Sequence, residues 1–336
     1  MEQCDTPLPL LPRRLTRLVV SGAELRAQGV TPARAAAQCR AGGPWQVLLP
    51  GVYLLRSGPA TDDERLRAAL LYAGRPAVPA QRTQTVRHGE AMVTGLAALA
   101  LHGFSSAPSL TSLDVIDVLV PRTRRLRSTG YVRVVRGQVL PKAEAVTGVP
   151  VAPVARALAD AVGRLTEDPQ RVRLLLTEAV RGGHCEPAAV VRELTDARLL
   201  NLPHVMAAVD ALLAECRSLS EGRLYELVRA HNLSEPLWNV DLRLPGGPHL
   251  GGVDAYWPDQ AVAVELDTRT PRHDEDALWS EYARKRDVLE GLGITVVHIT
   301  PRKLRESPEQ QAVVVRTALM AAADREPAAY VVVLPR

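Results

Sequence analysis

From Ser21 to Leu55 the chain reads SGAELRAQGV (21–30), TPARAAAQCR (31–40), AGGPWQVLLP (41–50) and GVYLL (51–55). Ser21 with Glu24 three residues on is a capping box, each side chain satisfying an amide of the first helical turn. Gly29 is placed to end that helix at positive φ, which a residue with a Cβ resists. Thr31 caps a second helix and Pro32 takes its first position, where no amide donor is needed. Gly42 and Gly43 stop it, with Pro44 beyond. Pro50-Gly51 is a turn pair between runs rich in Val, Leu and Tyr, so a hairpin is expected.

On the second helix, Ala35, Ala36 and Cys39 share one face at helical spacing, and Arg34 and Gln38 share the opposite one. An apolar inner face with Arg and Gln outward suits a helix in a DNA major groove, where Arg reads guanine and Gln reads adenine. Thr31 at the helix start and Arg40 to one side complete the candidate DNA-binding set, Arg40 as a phosphate contact. The competing reading is a pair of surface helices with solvated charges.

Helix, Gly-Val, Ser/Thr-capped helix, Gly-rich turn and the Pro50-Gly51-Val52-Tyr53 hairpin together resemble the N-terminal winged helix of AbiEi-type antitoxins of type IV toxin–antitoxin systems. That resemblance implies operator binding, repression of the chain's own promoter and a toxin partner. It covers the first sixth of the chain, and more loosely the next third.

The wider composition frames this. A chain of 336 residues is too long for one ordinary core, so two or three domains are expected. Hydrophobic residues make up 46%, but Phe occurs once, so the cores must be built of Ala, Val and Leu. The net charge of +4 permits nucleic-acid binding without demanding it, and puts the weight on local patches. Cys4, Cys39, Cys185 and Cys216 form no CxxC pair, which argues against zinc or a disulfide framework and for the reducing cytoplasm. Met1 to Arg14 has three prolines and no apolar run, so it reads as an arm and not a signal peptide. No stretch approaches the roughly 20 apolar residues of a membrane span.

In the middle, Asp62–Ala73 and Ala91–His102 read as helices, and Leu113–Val120 and Tyr131–Val135 as strands. Between the strands lie Arg122, Arg124, Arg125 and Arg127, a candidate phosphate contact or a solvated loop. Helices follow at Val154–Arg164, Gln170–Arg181, Pro187–Asp196 and Pro203–Ala214. His88, His102, His184 and His204 are isolated, and no catalytic constellation is visible here.

The C-terminal part is richer. Ser218 and Glu221 read as another capping box, opening a helix to about His231. Strands are expected at 238–244, 250–256 and 261–266, then a helix over 274–290, a strand over 294–299 and a helix opened by Thr300-Pro301. Glu265 and Asp267 fall on the same side of one strand. With a turn over Pro258–Ala261, Asp254 stands directly across from Glu265. Carboxylates that close need a cation or a raised pKa. Mg²⁺ is the natural ion there, with Asp254 and Glu265 as its ligands.

This helix, three strands, helix and strand, with Asp254 and then Glu265-Leu266-Asp267, resembles the PD-(D/E)XK nuclease fold. More narrowly, it is similar to bacterial proteins related to very-short-patch repair endonucleases. The resemblance implies catalytic roles for Glu221, Asp254, Glu265 and the third position, Asp267, where active members usually carry lysine. Lys285 is the nearby lysine that could substitute, and His273 the nearby histidine. The plainer reading pairs Glu265 and Asp267 with Arg269, Arg272, Arg284 or Arg286 for the fold alone.

The expected architecture is a multi-domain α/β protein. It has an arm (1–14), a winged helix-turn-helix (15–58), an α/β to helical middle (59–215) and a restriction-endonuclease-like domain with a mixed sheet (216–325). The expected function is a DNA-binding regulator whose nuclease-like domain is degenerate. The alternatives are a Mg²⁺-dependent endonuclease targeted by its winged helix, and a toxin-binding protein without enzymatic activity. Double-stranded DNA, a toxin and a second copy of the chain are the expected partners, with no membrane.

Overall fold

The computed structural model describes residues 18–74, 90–267, 275–322 and 330–336, with side chains from 283 onward in the helix that begins at 275. The arm and His88, Arg269, Arg272 and His273 lie outside the described residues. The chain is mixed α/β and divides into two compact units, Met1–Thr166 and Glu167–Arg336. Among the described residues no helix is long and apolar enough to cross a membrane.

The first unit begins with β1 (Val19–Ser21), α1 (Gly22–Ala27), α2 (Pro32–Gln38), β2 (Gln46–Leu49) and β3 (Val52–Leu54). The strands form an antiparallel sheet with β3 between β1 and β2. The local chemistry is as the residues dictate. Ser21 Oγ accepts from the Glu24 amide at 3.2 Å, and the Glu24 carboxylate accepts from the Ser21 amide at 2.7 Å. Thr31 Oγ1 accepts from the Arg34 amide at 3.3 Å, and Gly29 takes φ +81°. Val20, Leu25, Ala35 and Leu55 form the small core, with Val30, Trp45 and Tyr53 packed against it.

Next come α3 (Asp62–Ala73), β4 (Met92–Thr94), α4 (Gly95–Leu101), β5 (Ile116–Pro121), β6 (Val132–Gly137), β7 (Glu144–Val146), β8 (Val149–Val151) and α5 (Val154–Val162). The larger sheet has the order β6-β5-β4-β8-β7. Met92–Thr94 corrects the helix expected over 91–102: Ala91-Met92-Val93 is a short apolar run, a pattern that a buried strand and a buried helix share, and Gly95 at φ +63° separates the strand from the helix. The β7–β8 hairpin was not foreseen.

A polar seam crosses this sheet. Register sets Thr94 against Asp117 and Asp117 against Arg133. Arg133 Nη2 donates to Asp117 Oδ2 at 2.5 Å and its Nε to Oδ1, a bidentate pair. Thr94 Oγ1 donates to Asp160 Oδ2 at 2.6 Å, and Asp160 is also held by Arg156 at 3.0 Å. These bonds satisfy polar groups that would be costly buried and unpaired.

The second unit contains α6 (Pro169–Arg181), α7 (Pro187–Asp196), α8 (Pro203–Ala230), β9 (Leu237–Arg243), β10 (His249–Trp257), β11 (Val262–Leu266), α9 (Glu275–Gly291), β12 (Thr295–Ile299), α10 (Pro301–Glu306), α11 (Pro308–Ala322) and β13 (Val332–Pro335). Strands β9, β10 and β11 form an antiparallel meander, β12 joins β11 in parallel, and β13 pairs antiparallel with β9. One cluster holds Leu224, Leu227, Trp257, Val264 and Val315, and another Val240, Leu242, Ala263, Leu289 and Ile294. The sheet therefore carries α8 and α11 on one apolar cluster and α9 on the other.

Helix α8 corrects two expectations. Ser218 and Glu221 are not a helix start, because α8 runs unbroken for 28 residues through them. Nothing between Ala214 and Ser218 breaks a helix, and the hydroxyl of Ser220 donates back to Cys216 O at 2.8 Å. No boundary therefore falls at 215/216, and the helices from α6 on share a unit with the C-terminal sheet. That sheet also extends past residue 325, to β13.

Asp117 yields a pH prediction. Burial pushes its carboxyl above the ordinary 3.8, with Asp160 adding to the rise and Arg133 and Arg164 opposing it. Between pH 3.8 and the raised folded value, the folded state thus holds a proton that the unfolded state has released. The stability this supplies is complete below pH 3.8 and is lost as pH rises through the folded value. Urea titrations at stepped pH should show wild type losing ground to Asp117→Asn as pH rises from 3.8. A difference that stays flat would contradict this.

Candidate functional site

Two groups of residues were singled out from sequence, one in each unit. In the first unit, the burial of α2 differs from the expected face. Ala35 is buried at 2% exposure, Cys39 is partly buried, and Ala36 is exposed, so Ala36 does not belong to the inner face. A helix of seven residues with one fully buried anchor rests on a narrow line of contact. Arg34 and Arg40 are exposed, and Thr31 is exposed at the cap. Gln38 is partly buried, and its backbone carbonyl accepts from the Trp45 amide at 3.2 Å.

The arginine loop after β5 is tethered by its backbone. Tyr72 Oη donates to Arg127 O at 2.7 Å, and Arg136 Nη2 donates to Leu126 O at 2.5 Å. Arg122, Arg125 and Arg127 are exposed. Arg124 differs: it is partly buried and Nη2 donates to Ala73 O at 3.1 Å, so it ties the loop to the end of α3.

In the second unit, β10 and β11 pair Ala255 with Val264, so the next position sets Asp254 across from Glu265. Both are buried, at 8% and 5% exposure. Asp254 Oδ2 accepts from the Leu266 amide at 2.7 Å, and Oδ1 accepts from Arg217 Nη2 at 3.0 Å. Arg217 Nε also donates to Glu221 Oε1 at 3.0 Å. Glu221 therefore reaches the site through Arg217. Lys285 Nζ forms an ion pair with Glu265 Oε1 and donates to Gly252 O at 2.7 Å. Parallel register sets His298 beside Glu265, with Nδ1 3.6 Å from Oε2. Asp267 is partly buried just beyond β11, its amide donating to Ile299 O at 2.9 Å.

The electrostatics follow. Burial pushes the Asp254 carboxyl above 3.8, and Glu221 and Glu265 push the same way. The Leu266 amide and the Arg217 guanidinium oppose the rise. The cation that the opposed acids require comes from protein side chains, Arg217 and Lys285. Mg²⁺ asks for a near-octahedral oxygen shell. Here one Asp254 oxygen faces a guanidinium and the other an amide, and Glu265 faces an ammonium and an imidazole. Among the described residues no group of three or more His, Cys, Asp or Glu side chains is placed to hold a metal ion. In this packing the residues do not fit Mg²⁺.

Arg217 and His298 were missed from sequence. Arg217 had a local signal, its i,i+4 spacing from Glu221, visible once that stretch is read as helix. His298 had none, because it meets Glu265 only through strand pairing. No protein-family model matches this chain, and a search of curated proteins found no match.

Because Glu265 is buried, its ion pair with Lys285 is hard to break from one side. Lys285→Met should cost about 3–5 kcal/mol, the usual penalty for stranding a buried charge. Adding Glu265→Gln should recover most of it in urea denaturation. Equal losses in the single and double variants would show that the pair does not carry this energy.

Proposed function

We propose that the chain is a DNA-binding regulator of the AbiEi-antitoxin kind, with its β1–β3 unit docking on duplex DNA. The observation that carries this is the exposure of α2. One buried alanine anchors the helix, and Arg34 and Arg40 stand in solvent beside a three-stranded wing. In the proposed complex α2 enters the major groove and Arg34 takes a guanine edge. Arg40 contacts phosphate, and Thr31 lies at the groove-facing end. Gln38, partly buried, contributes less than Arg34. Arg122, Arg125 and Arg127 add backbone contacts, while Arg124 keeps the loop in place. In this reading the second unit is a restriction-endonuclease-like domain that adds grip on DNA, a reading supported by its order of helix, three strands, helix and strand.

One observation favours a second reading, a targeted endonuclease. Lys285 approaches Glu265 from α9 and Asp254 stands opposite, so an Asp, Glu and Lys set assembles although the third strand position is Asp267. Incubating the chain with plasmid, hairpin and mismatched duplex, with and without Mg²⁺ or Mn²⁺, separates the readings. Cutting that is lost in Asp254→Ala with DNA affinity intact favours the nuclease; no cutting of any substrate removes it.

For the regulator, Arg34→Ala should weaken binding to the chain's own promoter by about 1–3 kcal/mol, the worth of one good base contact. Wild-type affinity should also fall steeply with salt, through counterion release. Gel shifts across a salt series measure both, and affinity indifferent to both changes would refute the docking.

A further inference from the structure

The first unit holds a cavity of about 490 Å³ at one end of its larger sheet. Glu90 and Ala91 precede β4, Pro121 ends β5, and Leu140 and Pro141 follow β6. Pockets for small molecules span about 300–1,000 Å³. The lining is mostly apolar and stiff. Pro121, Pro141 and Pro150 contribute rings that fix their own backbone, and Met92 lines the cavity from a position only 3% exposed. A Cβ built on Gly137 would stand 3.2 Å from Leu140 Cδ2, so the bare backbone there leaves room for Leu140 to line the cavity. Among the described residues that line it, Glu90 is the one with a charge. Glu90 and Gln138 are both exposed, which sets these two polar groups at the mouth. Arg122 and Lys142, next in sequence to lining residues, are exposed and outside the lining.

We propose that this cavity is an effector site that binds a small aromatic amine. Proline rings pack well on aromatic faces, and so does the Met92 thioether. No aromatic side chain lines the cavity, so these surfaces are left to a ligand. The Glu90 carboxylate attracts an ammonium at the mouth and repels an acid, and the Gln138 amide adds a hydrogen bond. The same wall is the base of the arginine loop. The Arg122 amide donates to Gly137 O at 2.9 Å, and the Arg124 amide donates to Pro121 O at 2.9 Å. A ring held against Pro121 therefore stiffens the segment that carries Arg122, Arg125 and Arg127. The purpose of that stiffening rests on the regulator reading above; the binding itself does not.

The test is calorimetry on the full chain with naphthylmethylamine, naphthylmethanol and naphthoate, one ring system carrying three different charges. The amine should bind most tightly and the carboxylate least. Glu90→Gln should weaken the amine about threefold, the size of an exposed ion pair, and leave the alcohol unchanged. Ala143→Trp, which places an indole at an exposed lining position, should abolish binding of all three. Both substitutions are at exposed residues, and circular dichroism should match wild type. Hydrogen exchange at the Arg122 and Arg124 amides should slow with the amine bound. No binding of the amine, a ranking that it does not lead, a Glu90→Gln effect shared by the alcohol, or binding indifferent to Ala143→Trp would overturn the site. Binding without slower exchange would overturn the effector role. None of these measurements contains DNA, so each such failure leaves the regulator reading to its own gel shifts.

Discussion

The second unit is organised by the confrontation of Asp254 and Glu265 across two strands. Opposed carboxylates repel, and burying them removes the water that would screen the repulsion. The structure resolves this with cations from the two helices that flank the sheet, Arg217 from α8 and Lys285 from α9. Each cation needs its helix in a fixed place. Helix α8 must be continuous past residue 217 so that Arg217 can hold Glu221 one turn on while reaching Asp254. Helix α9 must lie close enough to β10 for Lys285 to reach Gly252 O. A requirement of charge balance is thus met by the same packing that buries Leu224 on one side and Leu289 on the other.

The first unit presents its charges differently. Arg56 is held by Glu64, but the arginine loop after β5 and helix α2 are fixed by backbone geometry, not by carboxylates. The loop bearing Arg122, Arg125 and Arg127 is fixed through its own carbonyls, by Tyr72 and Arg136, which leaves those three side chains uncommitted to the loop's fold. Helix α2 is fixed by its cap, by Ala35 and by the strand that follows. Where arginine is needed inside, as at Arg133, it is paired bidentately with a buried acid. The contrast separates structural arginines from those open to a ligand, and it moves Arg124 from the second group to the first.

Legibility in the sequence followed the range of the interaction that decides each feature. The caps at Ser21 and Thr31 and the helix Asp62–Ala73 were readable because their partners lie three or four residues away. The opposition of Asp254 and Glu265 was readable because a tight turn at Pro258–Ala261 fixes the register by counting. Where local chemistry was neutral the reading slipped: Ser218 and Glu221 carry the residues of a capping box, but nothing before them stops the incoming helix. His298, Arg336 and strand β13 depend on pairings between distant segments, and no pattern within those segments announces them. Ala36 shows the limit of face-counting on a short helix, where a narrow contact buries one residue of the stripe and leaves its neighbour outside.

The position of the lysine bears on what the acids do. A lysine at 267 would stand two residues from Glu265 on the same side of the strand, within the acidic row itself. Lysine at 285 comes instead from the helix, over the outer side of Glu265, and ends on the carbonyl of Gly252. The oxygens of Asp254 and Glu265 are consequently taken by an amide, a guanidinium and an ammonium, while Glu221 and Lys285 share the partly exposed rim. With both buried acids neutralised by cations from α8 and α9, the charge balance of this site is completed within the fold itself.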